Sequence, residues 1–222
     1  MRDLKRIARA VEKEMDKKDR AREHAIRTSR EMIRESKKII HGIHNGDNVS
    51  HLMRRSDDMV RDLRKALHQH PDLLHSGFVL DGLQEHAEAF IFEAAAFGKK
   101  VPDHNDLGVP PEAYILGLGD VMGELRRLVL TELKKGSIEA AEKHLTSMET
   151  TFEVLMGFNY PDSLVPVRRK QDVARGLIER TRGEVTMASR TIALERKLGS
   201  KSMGELWKDA RPMKPGDGEK DE

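Results

Sequence analysis

Four acidic residues sit in the most apolar part of this 222-residue chain. Glu85 and Glu88 lie three apart in GLQEHAEAF; Asp120 and Glu124 lie four apart in GLGDVMGEL. Either spacing puts two carboxylates on one face of a helix. Leu83, Ala87, Phe90, Ile91 and Phe92 flank the first pair, and Leu118, Val121, Met122 and Leu125 flank the second. Carboxylates drawn together from two such helices repel and raise one another's pKa. An all-oxygen ligand set of this kind suits Mg²⁺ or Mn²⁺. An ion held there activates water and offsets charge building on a phosphodiester. The same spacing also fits ordinary ion pairs. In that reading Glu85 and Glu88 meet Arg or Lys of the first helix, Asp120 meets Arg127, and Glu124 is exposed. A di-iron bundle fits poorly, because no Glu-x-x-His motif is present and the adjacent Glu85 and His86 point to different faces.

Basic residues are set apart from these acids along the chain. Residues 1–70 hold 19 Lys or Arg against 12 Asp or Glu, whereas residues 71–125 hold 2 against 10. Such a split suits an anionic partner held near an acidic site. Arg27, Arg30, Arg34, Lys37, Lys38 and His41 recur along one face of the first helix, and Arg127 follows the second acidic pair. These are candidate phosphate contacts, independent of base sequence and weakened by salt. Pairing of the same face with Glu23, Glu31 and Glu35 is the alternative. Arg54, Arg55, Arg61 and Arg64 form a second, weaker candidate patch. His41 and His44, three apart at a helix end, read as surface or capping residues.

Helices must position all of these. Apolar residues from Ala25 to Ile43 follow a helical period, and His44-Asn45-Gly46-Asp47 ends that helix. The first 20 residues lack a clear stripe and are expected to fray. Helices are predicted near 49–69, 82–98, 111–135, 137–157 and 167–198, with a short helical turn at 72–80. Asp81 and Gln84 read as a capping box opening the 82–98 helix. Pro111 suits the first turn of its helix. Val173, Leu177, Val185, Ala188, Ile192, Leu194 and Leu198 are the expected stripe of the last helix. Gly117, Gly119 and Gly123 interrupt the 111–135 helix, each at a cost on the order of 1 kcal/mol relative to Ala. Close helix approach, or room for a ligand, would account for them.

The expected architecture is all-α: a single-domain antiparallel bundle of about six or seven long helices. A charged helical extension (1–20) precedes the helical domain (21–198), and a short turn near Trp207 with a disordered tail follows (199–222). Absence of Cys excludes disulfides and thiolate metal sites. No signal-peptide core or membrane-length apolar run is present, so a soluble, cytoplasmic protein with no membrane partner is expected.

Three separated blocks carry a resemblance. GLQEHAEA (82–89), AYILGLGDVMGELRRL (113–128) and SREMIRESKKIIHGIHNGD (29–47) resemble the translin family, and its translin-associated factor X branch more than translin itself. The resemblance implies a seven-helix protomer in a closed hollow homo-oligomer, often an octamer, with single-stranded RNA or DNA bound inside. It also implies metal-dependent endoribonuclease activity on single-stranded RNA. The family's catalytic, metal-holding acids fall on Glu85, Glu88, Asp120 and Glu124, and its basic nucleic-acid-binding region falls on the block containing Arg27 to Lys38. A non-catalytic protein binding single-stranded RNA or DNA, with the acids used structurally, is the alternative. His86 stands where a tyrosine is common in the factor X branch.

Overall fold

Apolar spacing turns one face of α1 (Arg2–Asn45) into the core: Ala25, Met32 and Ile39 are fully buried, and Ile43 nearly so. The computed structural model describes residues 2–200, with side-chain surroundings for 3–198; the turn expected around Trp207 and the 211–222 tail lie outside the described residues. Residues 2–20, expected to fray, are the helical start of α1, and Leu4, Ile7, Val11 and Met15 do form a stripe, but an exposed one. Gly46, at φ 78°, closes the turn into α2 (Ser50–Ala66), where Val60 and Leu63 are buried.

A short 3-10 helix (Pro71–His75) leads into α3 (Gly77–Phe97), which starts five residues earlier than the spacing predicts. Ser76, not Asp81, stands at the N-cap. Its hydroxyl donates to the Leu73 carbonyl at 2.5 Å, while Ser29 donates to the Phe78 carbonyl, also at 2.5 Å. The apolar Phe78 and Val79 extend the core-facing surface of α3 toward its N-terminus, so packing overrides the capping box. Gln84 is thereby released for another partner. α3 is buried nearly all round, consistent with its central place.

α4 (Pro111–Lys134) opens with Pro111 in its first turn, as expected. Gly136, at φ 76°, separates it from α5 (Ile138–Met156). α6 (Val167–Ser200) buries Val167, Ala174, Ile178, Thr181 and Val185, residues that recur every three, four or seven positions. Val173, Leu194 and Leu198 of the expected stripe are instead exposed. Val173 lies one position off the buried row, and near the end of α6 it is Ser189, Ile192, Ala193 and Arg196, not Leu194, that line a pocket with the start of α5. The described residues are thus six α-helices and one 3-10 helix, with no strand. α3 lies between α1 and α4, and α4 also packs on α5 and α6.

Close approach of α3 and α4 has a specific cause. A Cβ built at Gly117 would stand 2.7 Å from the Gln84 carbonyl oxygen and 3.0 Å from the Glu88 backbone nitrogen. The neighbours there are backbone, so only a shift of one helix could make room. Gly117→Ala should lower stability by roughly 1–3 kcal/mol through overpacking, despite a helix-propensity gain of up to about 1 kcal/mol. Chemical denaturation of the two proteins measures this; an equal or greater stability of the variant would show that the helices separate freely.

Candidate active site

Helix contact at Gly117 sets the acidic faces of α3 and α4 across one cavity. Glu85 and Glu88 line it from α3, and Asp120 and Glu124 from α4. Lys37, Ile40 and His41 of α1 form another wall, Arg127 and Lys170 complete it, and its volume is about 690 Å³. The two acidic pairs, 35 residues apart along the chain at their first members, therefore share one space.

The carboxylates are not equivalent. Glu88 is only 8% exposed and, among the described residues, makes no hydrogen bond or ion pair. Burial pushes its carboxyl up to about 8, and the negative charges of Asp120, Glu85 and Glu124 add to the rise. Glu85 is also raised, mainly by burial, with Lys37 opposing the shift. Asp120 bonds to Lys170 and accepts a hydrogen bond from Gln84 at 2.5 Å. Glu124 lies 2.5 Å from His44 Nε2 and 3.9 Å from Arg127. Among the described residues no three carboxylate or imidazole groups stand close enough to form a ready ligand set. The acids of α4 are instead engaged one by one with cationic or hydrogen-bonding side chains.

Two expected ion pairs form, Arg127 with Glu124 and Lys38 with Glu35, but the partner of Asp120 differs from the one the spacing suggested. Asp120 takes Lys170 rather than Arg127, because Arg127, seven residues on, lies two turns away along α4. Glu124 is not simply exposed: it holds His44. That side chain is 6% exposed and packs on Phe92 with ring centroids 5.1 Å apart, so it is neither a surface residue nor a cap.

Lys170, His44 and Gln84 escaped the sequence reading as site residues. Lys170 reaches the cavity from the first turn of α6, 50 residues beyond Asp120, and no spacing rule links such positions. Gly119 carried an indirect signal. A Cβ there would stand 2.8 Å from Lys170 Cβ and 3.0 Å from its Cγ, so this glycine makes the room in which the lysine lies. Gly123 has nothing within 4 Å of a built Cβ and opens no such contact.

His86 faces away from the cavity. It is fully buried, Nδ1 lies 2.8 Å from Ser56 Oγ, and its ring packs on Phe90 at 4.4 Å. Burial holds its pKa down at about 3, so it is neutral.

Basic residues divide by position. Arg27, Arg30 and Arg34 are exposed on α1 and, among the described residues, form no ion pair. Lys37 lines the cavity, while Lys38 pairs at 3.1 Å with the buried Glu35. Arg126 is structural: it forks onto Glu184 with two bonds of 2.8 Å and onto Thr181. In the second patch, Arg55 leans on Glu35, Arg61 pairs with Asp58, and Arg64 donates to the Gly108 carbonyl.

Residues 20–182 match the translin family. The chain belongs to that family. An uncharacterized protein of Methanocaldococcus jannaschii is 32% identical over 190 residues, covering 84% of this chain and 85% of the relative. The solved structure of AfC3PO in complex with duplex RNA is 34% identical, with a TM-score of 0.77, covering 83% of this chain and 97% of that one. A crystal structure of apo-NeC3PO, 23% identical with a TM-score of 0.73, shares the fold over 82% of this chain and 96% of its own. Among the described residues no helix is long and apolar enough to cross a membrane.

The raised Glu88 pKa has a stability consequence in metal-free buffer. The folded state holds a proton on Glu88 that the unfolded chain releases above its ordinary value near 4.5. That stabilisation is fully present below about 4.5 and is lost as pH rises through about 8. Glu88→Gln keeps the side chain neutral throughout. Its melting temperature should exceed that of the parent by roughly 3–6 °C at pH 8.5 and by little at pH 5. Thermal melts at the two pH values, with chelator present, provide the check; a difference independent of pH would contradict the buried, proton-holding state.

Proposed function

We propose that the protein is a metal-dependent endoribonuclease of the translin-associated factor X type. The observation that carries this reading is one cavity lined by Glu85, Glu88, Asp120 and Glu124 and rimmed by Lys37, Arg127 and Lys170. Its substrate is RNA. A relative 34% identical has been solved in complex with duplex RNA, and the family resemblance points to cleavage of a single strand. The same resemblance supports a closed, octamer-like homo-oligomer with the cavities facing inward.

The chemistry of the donors, rather than their present spacing, suits Mg²⁺ or Mn²⁺. The set consists of carboxylates alone, without thiolate, and Glu88 is a buried carboxyl with no partner of its own among the described residues. Glu85, Glu88, Asp120 and Glu124 would hold the ion, which when bound supplies Lewis-acid activation of water and neutralises charge on the phosphodiester. The chain's own cations do the remainder. Lys170 pairs with Asp120, lines the cavity and would contact a phosphate oxygen of the bound strand. Arg127 and Lys37 flank the opening and attract the strand. Arg27, Arg30 and Arg34, on the exposed face of α1 and free of ion pairs among the described residues, contact further phosphates without reading bases.

Cleavage of a labelled single-stranded RNA tests the proposal, with duplex RNA assayed alongside. Activity should require Mg²⁺ or Mn²⁺ and vanish with chelator. Glu88→Gln and Asp120→Asn should abolish turnover while RNA retention at low salt persists. Lys170→Met should slow cleavage on the order of 10²-fold, as expected for loss of one electrostatic contact to the reacting group. Metal-independent cutting, or full activity in both acid variants, would overturn the assignment.

A further inference from the structure

Among the described residues nothing packs on the N-terminal third of α1, which forms an arm. Residues 3–17 are all exposed, and the helix meets the rest of the chain at Lys18, which pairs with Asp72 at 2.5 Å. A span of this length projects by about 22 Å at the helical rise. It also precedes residue 20, where the match to the translin family begins. Yet the arm is not a generic charged helix. Leu4, Ile7, Val11 and Met15 lie on one stripe and are 64%, 51%, 56% and 58% exposed. An isolated helix this short is marginal in water, and an apolar stripe of this size normally has a partner.

We propose that the arms of two copies of this chain pair with each other as a short antiparallel coiled coil. Three features favour a second copy in that direction. The first is the heptad frame, with Leu4, Ile7 and Val11 at the core positions. Centred on residue 9, an antiparallel pair layers Ile7 of each copy against Val11 of the other.

Flanking residues supply the second feature. Ala8 and Ala10 border the stripe at the centre of that pairing, so the two backbones can approach closely. Asp3 of one copy falls against Lys17 of the other. The third feature is charge. Residues 2–10 hold four basic side chains and one acidic, while residues 11–19 hold four acidic and three basic. An antiparallel pair sets the basic half against the acidic half. A parallel pair would set basic against basic, and the two Glu14 carboxylates against each other in the core layer, where the antiparallel pair sets each Glu14 at the end of the core against Leu4. The contact is isologous, so it closes on itself and joins two protomers.

Absence of native cysteine gives a clean test. The full-length chain carrying Ile7→Cys and Val11→Cys is oxidised and run without reductant, and bridged peptides are mapped after trypsin. Cleavage at Arg6, Arg9 and Lys13 places the two cysteines on separate peptides. Both positions are exposed, so folding is unaffected, and circular dichroism verifies it. The expected result is a covalent dimer as the major species, linked from position 7 of one chain to position 11 of the other. Adding Leu4→Asp should cut that product at least tenfold. Bridges of 7 to 7 and 11 to 11 would overturn the antiparallel pair. Loss of bridging with arm lysines cross-linking instead to the end of α6, or no interchain bridge in a protein that still oligomerises, would overturn arm pairing altogether.

Discussion

Contact between α3 and α4 at Gly117 is the constraint on which the site rests. Any side chain there would press on the backbone of Gln84 and Glu88, one turn of α3 that carries half the acidic set. Only hydrogen fits, and the helices approach until Glu85 and Glu88 share a cavity with Asp120 and Glu124. Helix propensity is sacrificed at this point for position. A second glycine, Gly119, gives up its side chain so that Lys170 of α6 can lie across α4. The cavity is therefore shaped as much by missing side chains as by present ones.

Electrostatics follow from that geometry. Four carboxyl groups around one partly buried space cannot all carry charge without compensation. Lys170 compensates Asp120; His44 and Arg127 face Glu124; Lys37 acts on Glu85. Glu88, the most buried and without a partner among the described residues, is left to hold its proton toward neutral pH. The proposed ion would replace the proton and loosen the hold of Lys170 on Asp120. Charge is thus balanced within the site by Lys170, His44, Arg127 and the proton on Glu88.

Much of the architecture was legible in order and type. Gly46, Pro111 and Gly136 mark the turns and helix starts that the sequence signals, and the apolar period of α1 from Ala25 onward points to the core. The errors have physical causes. Asp81 and Gln84 have capping-box spacing, but the partly buried Phe78 and buried Val79 prolong α3 past them. Val173 has the composition of a core residue and lies one position off the buried row. The stripe from Leu4 to Met15 was hidden among charges because two or three residues, most of them charged, separate its members.

Sequence alone determined the helical class, the family blocks and the identity of the four acids, because helical spacing is a local property and each acidic pair lies within one turn. Whether the two pairs face each other is not local. It depends on the rotation and separation of α3 and α4, which the Gly117 contact decides. Pairing with cations was likewise decided in three dimensions. Lys170, His44 and Gln84 reach the acids from distant chain positions, and spacing carries no information about which helix face will meet which. Local periodicity thus named the carboxylates, and packing chose their neighbours.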